Sequence, residues 1–282
     1  MTGFFIFVIV VGFVFAQVFQ NSSILYFAVI LSLVMNLVAY WFSDKIAIMI
    51  SRAKPADKTK HSELFAAVEK TARLADIPMP RVYIIEDASP NAFATGRNKK
   101  HAAVAATTGI LQALSAEELT GVLAHEISHI KNHDILVSSI AVVLAGSIAM
   151  LSDMFLRMTF FRSVFGDRDN RQSSGALMVL GIAAAILAPI AAMMIQMAIS
   201  RKREFLADES GARLIKNGGP LASALVKIHN NPKQLAKVSS AMAHLYIDNP
   251  FKRKDGASWL VNLFRTHPRV EDRVRALREL KI

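Results

Sequence analysis

The chain has 282 residues, of which 53% are hydrophobic, and a formal net charge of +11. It contains no cysteine, which excludes a disulfide framework and any zinc site built on thiolates. A basic chain can bind nucleic acid or a membrane surface, but no nucleic-acid-binding motif is present. We therefore expect no nucleic-acid partner and turn to the distribution of apolar residues.

Residues 1–43 carry no Asp, Glu, Lys, Arg or His. Two apolar stretches within them, residues 3–20 and 23–42, are each about long enough to cross a ~30 Å hydrocarbon core at ~1.5 Å per residue. We predict a transmembrane hairpin over residues 1–43, with the lipid bilayer as its partner. A cleaved signal peptide is the alternative, but no basic residues precede the first apolar run, and a second run follows at once.

Residues 44–132 have the patterns of a small α+β domain. A helix is predicted over residues 61–74, where apolar side chains recur at helical spacing. Residues 81–85 are β-branched and aromatic and predict a strand, and residues 102–107 predict a second strand. Turn-forming residues lie between the two strands, from Ser89 to Gly96.

Residues 125–129 read His-Glu-Ile-Ser-His. A sequence with capping-box spacing precedes them, so a helix is predicted to start near Ser115. Because side chains four apart share one helix face, His125 and His129 can bind one metal ion, and Glu126 can take a proton from an attacking water. The pattern predicts a zinc peptidase, and the alternative is a chance match on an amphipathic helix.

Residues 133–200 predict a second transmembrane hairpin. Its apolar spans are residues 135–152 and 173–200, and its connecting loop is residues 154–172. Two buried core helices of a soluble domain are the alternative. The loop carries four arginines, which runs against the tendency of basic residues to stay on the cytoplasmic side.

Residues 201–282 form the predicted second part of the catalytic domain. They carry 17 basic and 8 acidic side chains, whereas residues 44–132 carry 12 and 10. Because basic residues that flank spans favour the cytoplasmic side, we expect the catalytic face to be cytoplasmic.

Two imidazoles and a water leave a tetrahedral zinc site one ligand short. A metzincin would supply a histidine six residues after His129, but Ile135 stands there, so this class is excluded. His133 continues the same helix face, but a straight helix sets it about 12 Å from His125 along the axis. We therefore favour a surface position for His133.

Glu204 is the better candidate for the third ligand. Asp208 lies four residues further on the same helix face, where it can orient a ligand imidazole, as in a gluzincin. A membrane hairpin returns its two ends to one side of the bilayer, which brings His129 and Glu204 together. Two solvated surface charges are the alternative reading of Glu204 and Asp208.

These motifs resemble the HtpX family of membrane-bound bacterial zinc metalloproteases, whose relatives include the CAAX prenyl endopeptidases. The shared features, in order, are the first apolar hairpin, Asn-Ala-Phe at 91–93, His-Glu-Ile-Ser-His at 125–129, the second hairpin, Glu-Phe-Leu-Ala-Asp at 204–208, and Thr-His-Pro at 266–268. The resemblance covers essentially the whole chain.

The resemblance implies several properties. One Zn²⁺ per chain is expected, in a multi-pass protein of the bacterial inner membrane that cleaves misfolded or damaged membrane proteins. His267 is expected to steady the oxyanion, and Arg273 to support the site. Asn91 is expected beside the substrate cleft, with residues 102–107 as the edge strand that binds substrate backbone.

We therefore expect a polytopic α-helical membrane protein with a gluzincin-type α+β zinc metallopeptidase domain. Two alternatives stay open: a prenyl-protein endopeptidase, and a non-enzymatic zinc-binding membrane scaffold or transporter. The apolar spans contain no ionisable residues in their interiors, which disfavours ion transport. The sequence predicts no oligomeric state.

Overall fold

The computed structural model describes residues 2–165, 175–231 and 268–282. Two compact units divide the chain: Met1–Tyr40 with Val137–Gln196, and Trp41–Leu136 with Met197–Ile282. We call them the apolar unit and the catalytic unit. The predicted segments end at residues 43, 132 and 200. The boundaries between the two units lie close to these positions, after Tyr40, Leu136 and Gln196.

The described residues form mainly α-helices and one small sheet. The helices are α1 (Thr2–Phe19), α2 (Ser23–Ile50), α3 (Ser62–Ala75), α4 (Thr108–Ala113), α5 (Ala116–Lys131), α6 (Asp134–Phe165), α7 (Gly175–Leu214), α8 (Gly219–His229) and α9 (Val270–Glu279). The strands are β1 (Lys54–Pro55), β2 (Arg81–Ile85), β3 (Ala92–Thr95) and β4 (Ala103–Thr107), and a 3₁₀ turn covers Lys99–His101.

The apolar unit is held together by side chains from α1, α2, α6 and α7. Phe15 stacks on Phe155 with ring centroids 4.1 Å apart, and both side chains are buried. Gly181 allows this packing, because a Cβ at that position would lie 2.6 Å from the Phe155 ring. The turn between α1 and α2 is closed by Asn21, whose side-chain oxygen accepts the Ser23 N–H at 3.0 Å.

Within the described residues, one helical stretch meets both the length and the hydropathy of a membrane span. It is Met178–Leu214 in α7, with a mean hydropathy of 2.5 in its most apolar window. Ile6–Phe19 and Ser23–Val34 are shorter apolar stretches. A membrane arrangement with several spans therefore stays a prediction.

The prediction of a loop over residues 154–172 is wrong for residues 154–165, which are helical. Helix α6 continues to Phe165, and residues 166–174 lie outside the described part of the chain. The sequence from Met154 to Phe165 contains no glycine or proline to end a helix, so the helix extends past the apolar stretch.

The sheet of the catalytic unit has the order β1-β2-β4-β3. Strands β2 and β4 are parallel, with Arg81 opposite Ala103, and β3 is antiparallel to β4. Strand β4 therefore lies inside the sheet, which corrects the prediction of an edge strand at residues 102–107. The edge strand next to β4 is β3, a four-residue strand inside the segment predicted as turns, and β1 forms the other edge.

Helix α5 is the central helix of the catalytic unit. Its predicted capping box is confirmed: the Ser115 hydroxyl accepts the Glu118 N–H at 3.3 Å, and the Glu118 carboxylate accepts the Ser115 N–H at 2.8 Å. The same carboxylate accepts hydrogen bonds from Ser223 at 2.6 Å and Lys227 at 2.7 Å, both on α8. Apolar side chains from α3, α5, α8 and α9 complete the core, among them Leu64, Leu123, Ile127, Leu225 and Leu277.

Candidate active site

Helices α5 and α7 bring three possible metal ligands together. His125, His129 and Glu204 each offer one ligand atom, and these atoms lie within 4.8 Å of one another. The two Nε2 atoms are 3.1 Å apart, and carboxylate oxygens of Glu204 lie 3.7 Å from His125 Nε2 and 3.5 Å from His129 Nε2. His125 and Glu204 are buried, so the group is closed to bulk water on most sides.

The outer nitrogens of both imidazoles contact carboxylates. Nδ1 of His125 lies 2.9 Å from Asp208, and Nδ1 of His129 lies 3.0 Å from Asp134. A carboxylate accepts a hydrogen bond, so each Nδ1 carries the proton in the neutral ring and each Nε2 presents a lone pair. Two facing lone pairs repel each other unless a cation lies between them.

The spacing of the donor atoms fits zinc. Tetrahedral coordination with Zn–N bonds of ~2.05 Å places two ligand nitrogens ~3.3 Å apart. The separations between ligand atoms of the three side chains are 3.1, 3.5 and 3.7 Å. Two imidazoles and one carboxylate are also a ligand set of catalytic zinc sites, in which the fourth position is left for water or substrate.

Arg273 is fully buried and holds two acidic side chains of α7. Its guanidinium donates two hydrogen bonds to Asp208, from Nε at 2.8 Å and from the second terminal nitrogen at 2.7 Å. Its other terminal nitrogen lies 3.2 Å from Glu204. Burial opposes ionisation of Asp208, but the charge of Arg273 lowers the pKa of this carboxyl and keeps it ionised.

No sequence pattern singled out Asp134, although it contacts His129 directly. It is the first residue of α6, it is 2% exposed, and its second oxygen is ion-paired with Arg203. The chain turns sharply at His133, which has a φ of 60°, and this turn returns Asp134 to the end of α5. The sequence feature that points to Asp134 is an acidic residue at the start of an otherwise apolar helix.

Gly211 allows α7 to approach α5 closely beside His125. A Cβ at this position would lie 2.9 Å from the backbone nitrogen of His125 and 3.0 Å from the carbonyl carbon of Ala124. Gly211 follows Glu204 and Asp208 at positions i+7 and i+3, so all three residues share one face of α7. The absence of a side chain at residue 211 therefore helps both acids to reach the histidines.

Glu126 lies against the edge of the sheet. One of its carboxylate oxygens accepts the backbone N–H of Ala94 in β3 at 2.8 Å. Burial raises the pKa of Glu126, while the charges of His125 and His129 partly oppose this shift. A buried carboxyl with a raised pKa is suited to accept a proton and then to release it.

Of the three remaining candidate residues, the structure describes Asn91 and His133. Asn91 is buried immediately before β3, where its backbone N–H donates to the Thr107 hydroxyl at 2.9 Å. His133 is exposed and does not belong to the group of possible metal ligands. His267 lies outside the described residues.

The arrangement combines the parts that peptide hydrolysis needs. A possible metal site, a buried carboxylate beside it and the edge of a sheet meet within one unit. A peptide extended along β3 would pass beside Glu126, because that edge already contacts the Glu126 side chain.

Comparisons with known proteins identify the family. The model of Peptidase family M48 matches residues 58–281. A protein described as Protease HtpX homolog from Syntrophobacter fumaroxidans is 46% identical over 259 residues, which are 90% of this chain and 88% of that protein. A Protease HtpX homolog from Syntrophotalea carbinolica is 47% identical over 258 residues, which cover 91% and 88% of the two chains.

A solved structure has a similar fold. The crystal structure of S. mikatae Ste24p has a TM-score of 0.55 and 20% sequence identity, and the match covers 95% of this chain and 62% of that one. This chain therefore spans less than two thirds of the Ste24p chain, and the likeness concerns the fold alone. The family match covers most of the chain and both helices that carry the possible metal ligands. The chain belongs to peptidase family M48 and is a metalloprotease.

Proposed function

We propose that this metalloprotease is a membrane-integrated zinc endopeptidase that cleaves misfolded or damaged membrane proteins from the cytoplasmic side of the bacterial inner membrane. The observation that carries the proposal is the meeting of three metal-ligand side chains with Glu126 at the edge of the sheet. His125, His129 and Glu204 would hold the ion, in a gluzincin-type arrangement.

Different side chains of the site would have different roles in peptide hydrolysis. Zinc, when bound, polarises the scissile carbonyl and lowers the pKa of water. Glu126 would take the proton from the attacking water and pass it to the leaving amine. Asp208 and Asp134 hold the two imidazoles, and Arg273 holds Asp208 and Glu204.

Among the described strands β3 pairs only with β4, and this edge position supports an extended peptide as the substrate. In the antiparallel pair of β3 with β4, Phe93 and Thr95 lie opposite Ala105 and Ala103. Ala94 directs its N–H away from β4 and toward Glu126. A substrate segment added to this edge would present its peptide bonds next to Glu126, with Asn91 at the start of the strand. Such binding selects unfolded segments, because folded proteins rarely offer a free extended backbone.

Membrane integration is supported by the distribution of apolar residues. Residues 1–43 are uncharged, and α7 contains a stretch with the length and hydropathy of a span. The proposed arrangement has four spans, and the basic excess of residues 201–282 favours a cytoplasmic catalytic face. His267 is proposed to steady the oxyanion, as in the family that the sequence resembles.

Cleavage of matched substrates tests the proposal. The full-length protein would be reconstituted in liposomes with zinc, together with a membrane protein in a stable form and in a destabilised form. We expect cleavage of the destabilised form, slower cleavage of the stable form, and loss of both in Glu126→Gln. A farnesylated peptide serves as the competing substrate. Cleavage of that peptide alone would instead favour a prenyl-protein endopeptidase.

A further inference from the structure

We propose that the catalytic unit contains a binding site for the phosphate of an anionic membrane lipid. The site is a cavity of about 320 Å³ between the C-terminal end of α2 and strand β2. Its volume lies at the lower end of the ~300–1,000 Å³ typical of small-molecule sites. The proposal concerns a ligand other than the peptide substrate, and it does not depend on the cleavage chemistry. The cavity wall includes Asp44, Lys45, Ile48, Met49, Arg52 and Arg81.

The cavity wall carries an excess of positive charge. Lys45, Arg52 and Arg81 contribute three cations, and Asp44 contributes one carboxylate. Asp44 is 5% exposed and lies 2.7 Å from Arg81, so this pair fixes the Arg81 side chain at the wall. In the part of the chain that the structure describes, Lys45 and Arg52 form no ion pair. A phosphate between them would neutralise charges that have no counterion among the described residues.

Apolar and aromatic side chains lie next to these cations. Met49 lines the cavity and is 71% exposed, and Trp41 and Phe42 are half exposed about two turns earlier on α2. The guanidinium of Arg97 lies 4.6 Å from the centre of the Trp41 ring. Aromatic rings beside basic side chains are typical of a membrane–water interface, where the rings contact acyl chains and the cations reach head groups.

The position of the cavity along the chain favours a lipid over a soluble phosphate compound. Asp44 and Lys45 are the first charged residues after the uncharged residues 1–43. A helix that leaves the hydrocarbon core at this point places them at the level of the lipid phosphates. Anionic lipids attract basic segments at this depth, and basic pockets beside spans bind their head groups.

The cavity wall is also part of the cluster that packs under the substrate edge. Ile48 and Tyr83 pack against the buried group formed by Ala47, Phe93 and Ala105. Phe93 directly precedes Ala94, whose N–H contacts Glu126. A lipid in the cavity would therefore contact side chains that pack against β3.

Lipid binding by the purified full-length protein tests the proposal. Delipidated protein in detergent would be titrated with phosphatidylglycerol or phosphatidylcholine, and bound lipid would be counted by native mass spectrometry. The double variant Lys45→Gln/Arg52→Gln removes the two wall cations that form no ion pair with a described residue. Its affinity for phosphatidylglycerol should fall roughly 10- to 30-fold, and its zinc content should stay unchanged.

The matched control is Lys70→Gln/Arg73→Gln, which removes one lysine and one arginine from the exposed face of α3. This variant should bind phosphatidylglycerol like the unchanged protein. Equal affinity of the two double variants would overturn the proposal. Inorganic phosphate at the lipid concentration should not displace phosphatidylglycerol, and displacement would assign the cavity to soluble phosphate and overturn the lipid as ligand.

A second measurement leaves all cations in place. Because the chain has no cysteine, Met49→Cys offers a single thiol for a fluorescent label at the cavity. Phosphatidylglycerol with brominated acyl chains should quench this label more strongly than brominated phosphatidylcholine at the same concentration. Equal quenching by the two lipids would contradict a site for anionic lipid.

Discussion

The Nδ1 atom of His129 lies 3.0 Å from Oδ2 of Asp134, the first residue of α6. The histidine that would bind the metal is thus oriented by the residue at which the apolar helix begins. Arg203 pairs with the other oxygen of Asp134 and lies one residue before Glu204. Two of the proposed ligands, His129 on α5 and Glu204 on α7, are therefore also connected through a partly buried ion pair.

Replacing Asp134 should weaken metal binding without removing a ligand. In Asp134→Asn, the imidazole of His129 loses its charged hydrogen-bond partner, and Arg203 loses its counterion. We expect zinc affinity to fall by ~10- to 100-fold, as is usual for residues that orient ligands. Chelator competition measures this affinity, and the spectrum of the Co²⁺-substituted protein reports the geometry.

The control for Asp134→Asn is Glu209→Gln, which changes an exposed carboxylate on α7 next to Asp208. Zinc affinity should not change in this variant. An Asp134→Asn protein with the zinc affinity and Co²⁺ spectrum of the unchanged protein would show that the contact has no positioning role.

Adding a methyl group at Gly211 should separate α7 from α5. The new Cβ would lie 2.9 Å from the backbone nitrogen of His125, where only backbone movement can relieve the contact. We expect Gly211→Ala to lower the free energy of unfolding by about 1–3 kcal/mol and to weaken zinc binding. Thermal unfolding in detergent and chelator competition measure the two effects.

Gly146→Ala is the matched helical control, because a Cβ at that position meets no atom within 4 Å. Alanine has the higher helix propensity, so this variant should be as stable as the unchanged protein or slightly more stable. If both variants unfold at the same temperature and bind zinc equally, the close approach at Gly211 does not hold the site together.

The Glu118 contacts predict a dependence of stability on pH. Burial would raise the pKa of this carboxyl, but hydrogen bonds from Lys227, Ser223 and the Ser115 N–H lower it from 4.5 to about 2. A lowered pKa in the folded state stabilises the fold above the unfolded value, and this contribution disappears as the pH falls from about 4.5 to about 2. The difference in unfolding free energy between the unchanged protein and Glu118→Gln should therefore shrink across this range.

Denaturant unfolding of metal-free protein measures this difference, because zinc release at low pH would otherwise contribute. The neighbouring Glu117 is exposed and serves as the control. Glu117→Gln should change stability little at any pH. A stability difference between the unchanged protein and Glu118→Gln that stays constant from pH 6 to below 4 would be evidence against ionised Glu118 as the cause.

Thiol labelling tests the proposed topology in a chain without cysteine. An impermeant thiol reagent added outside the inner membrane should react with Ser163→Cys between the proposed third and fourth spans. It should not react with Ser62→Cys or Ser258→Cys until the membrane is disrupted. Labelling of Ser62→Cys in intact cells would contradict a cytoplasmic catalytic face.

Local patterns predicted the elements that depend on neighbours in sequence. The capping box starts α5 where expected, strand β2 has the predicted bounds, and helix α3 begins one residue late. His125 and His129 lie on one face because the helix repeat requires it. The prediction that Glu204 lies near these histidines depended on the assumption that residues 133–200 form a helical hairpin.

The contacts that the sequence did not reveal depend on tertiary structure. Asp134 reaches His129 because of the turn at His133, and no periodic pattern shows such a turn. Strand β3 is short, and its role comes from its position at the sheet edge beside Glu126. Gly211 is one of 13 glycines, and only the close approach of α5 distinguishes it.

The most direct test of the account is the zinc content of three purified proteins, measured by elemental analysis. The unchanged protein and Glu126→Gln should each contain one zinc per chain, because Glu126 is proposed as the base and not as a ligand. Glu204→Ala should lose the metal or bind it far more weakly. Full zinc occupancy in Glu204→Ala, or loss of zinc in Glu126→Gln, would contradict the proposed division between ligands and base.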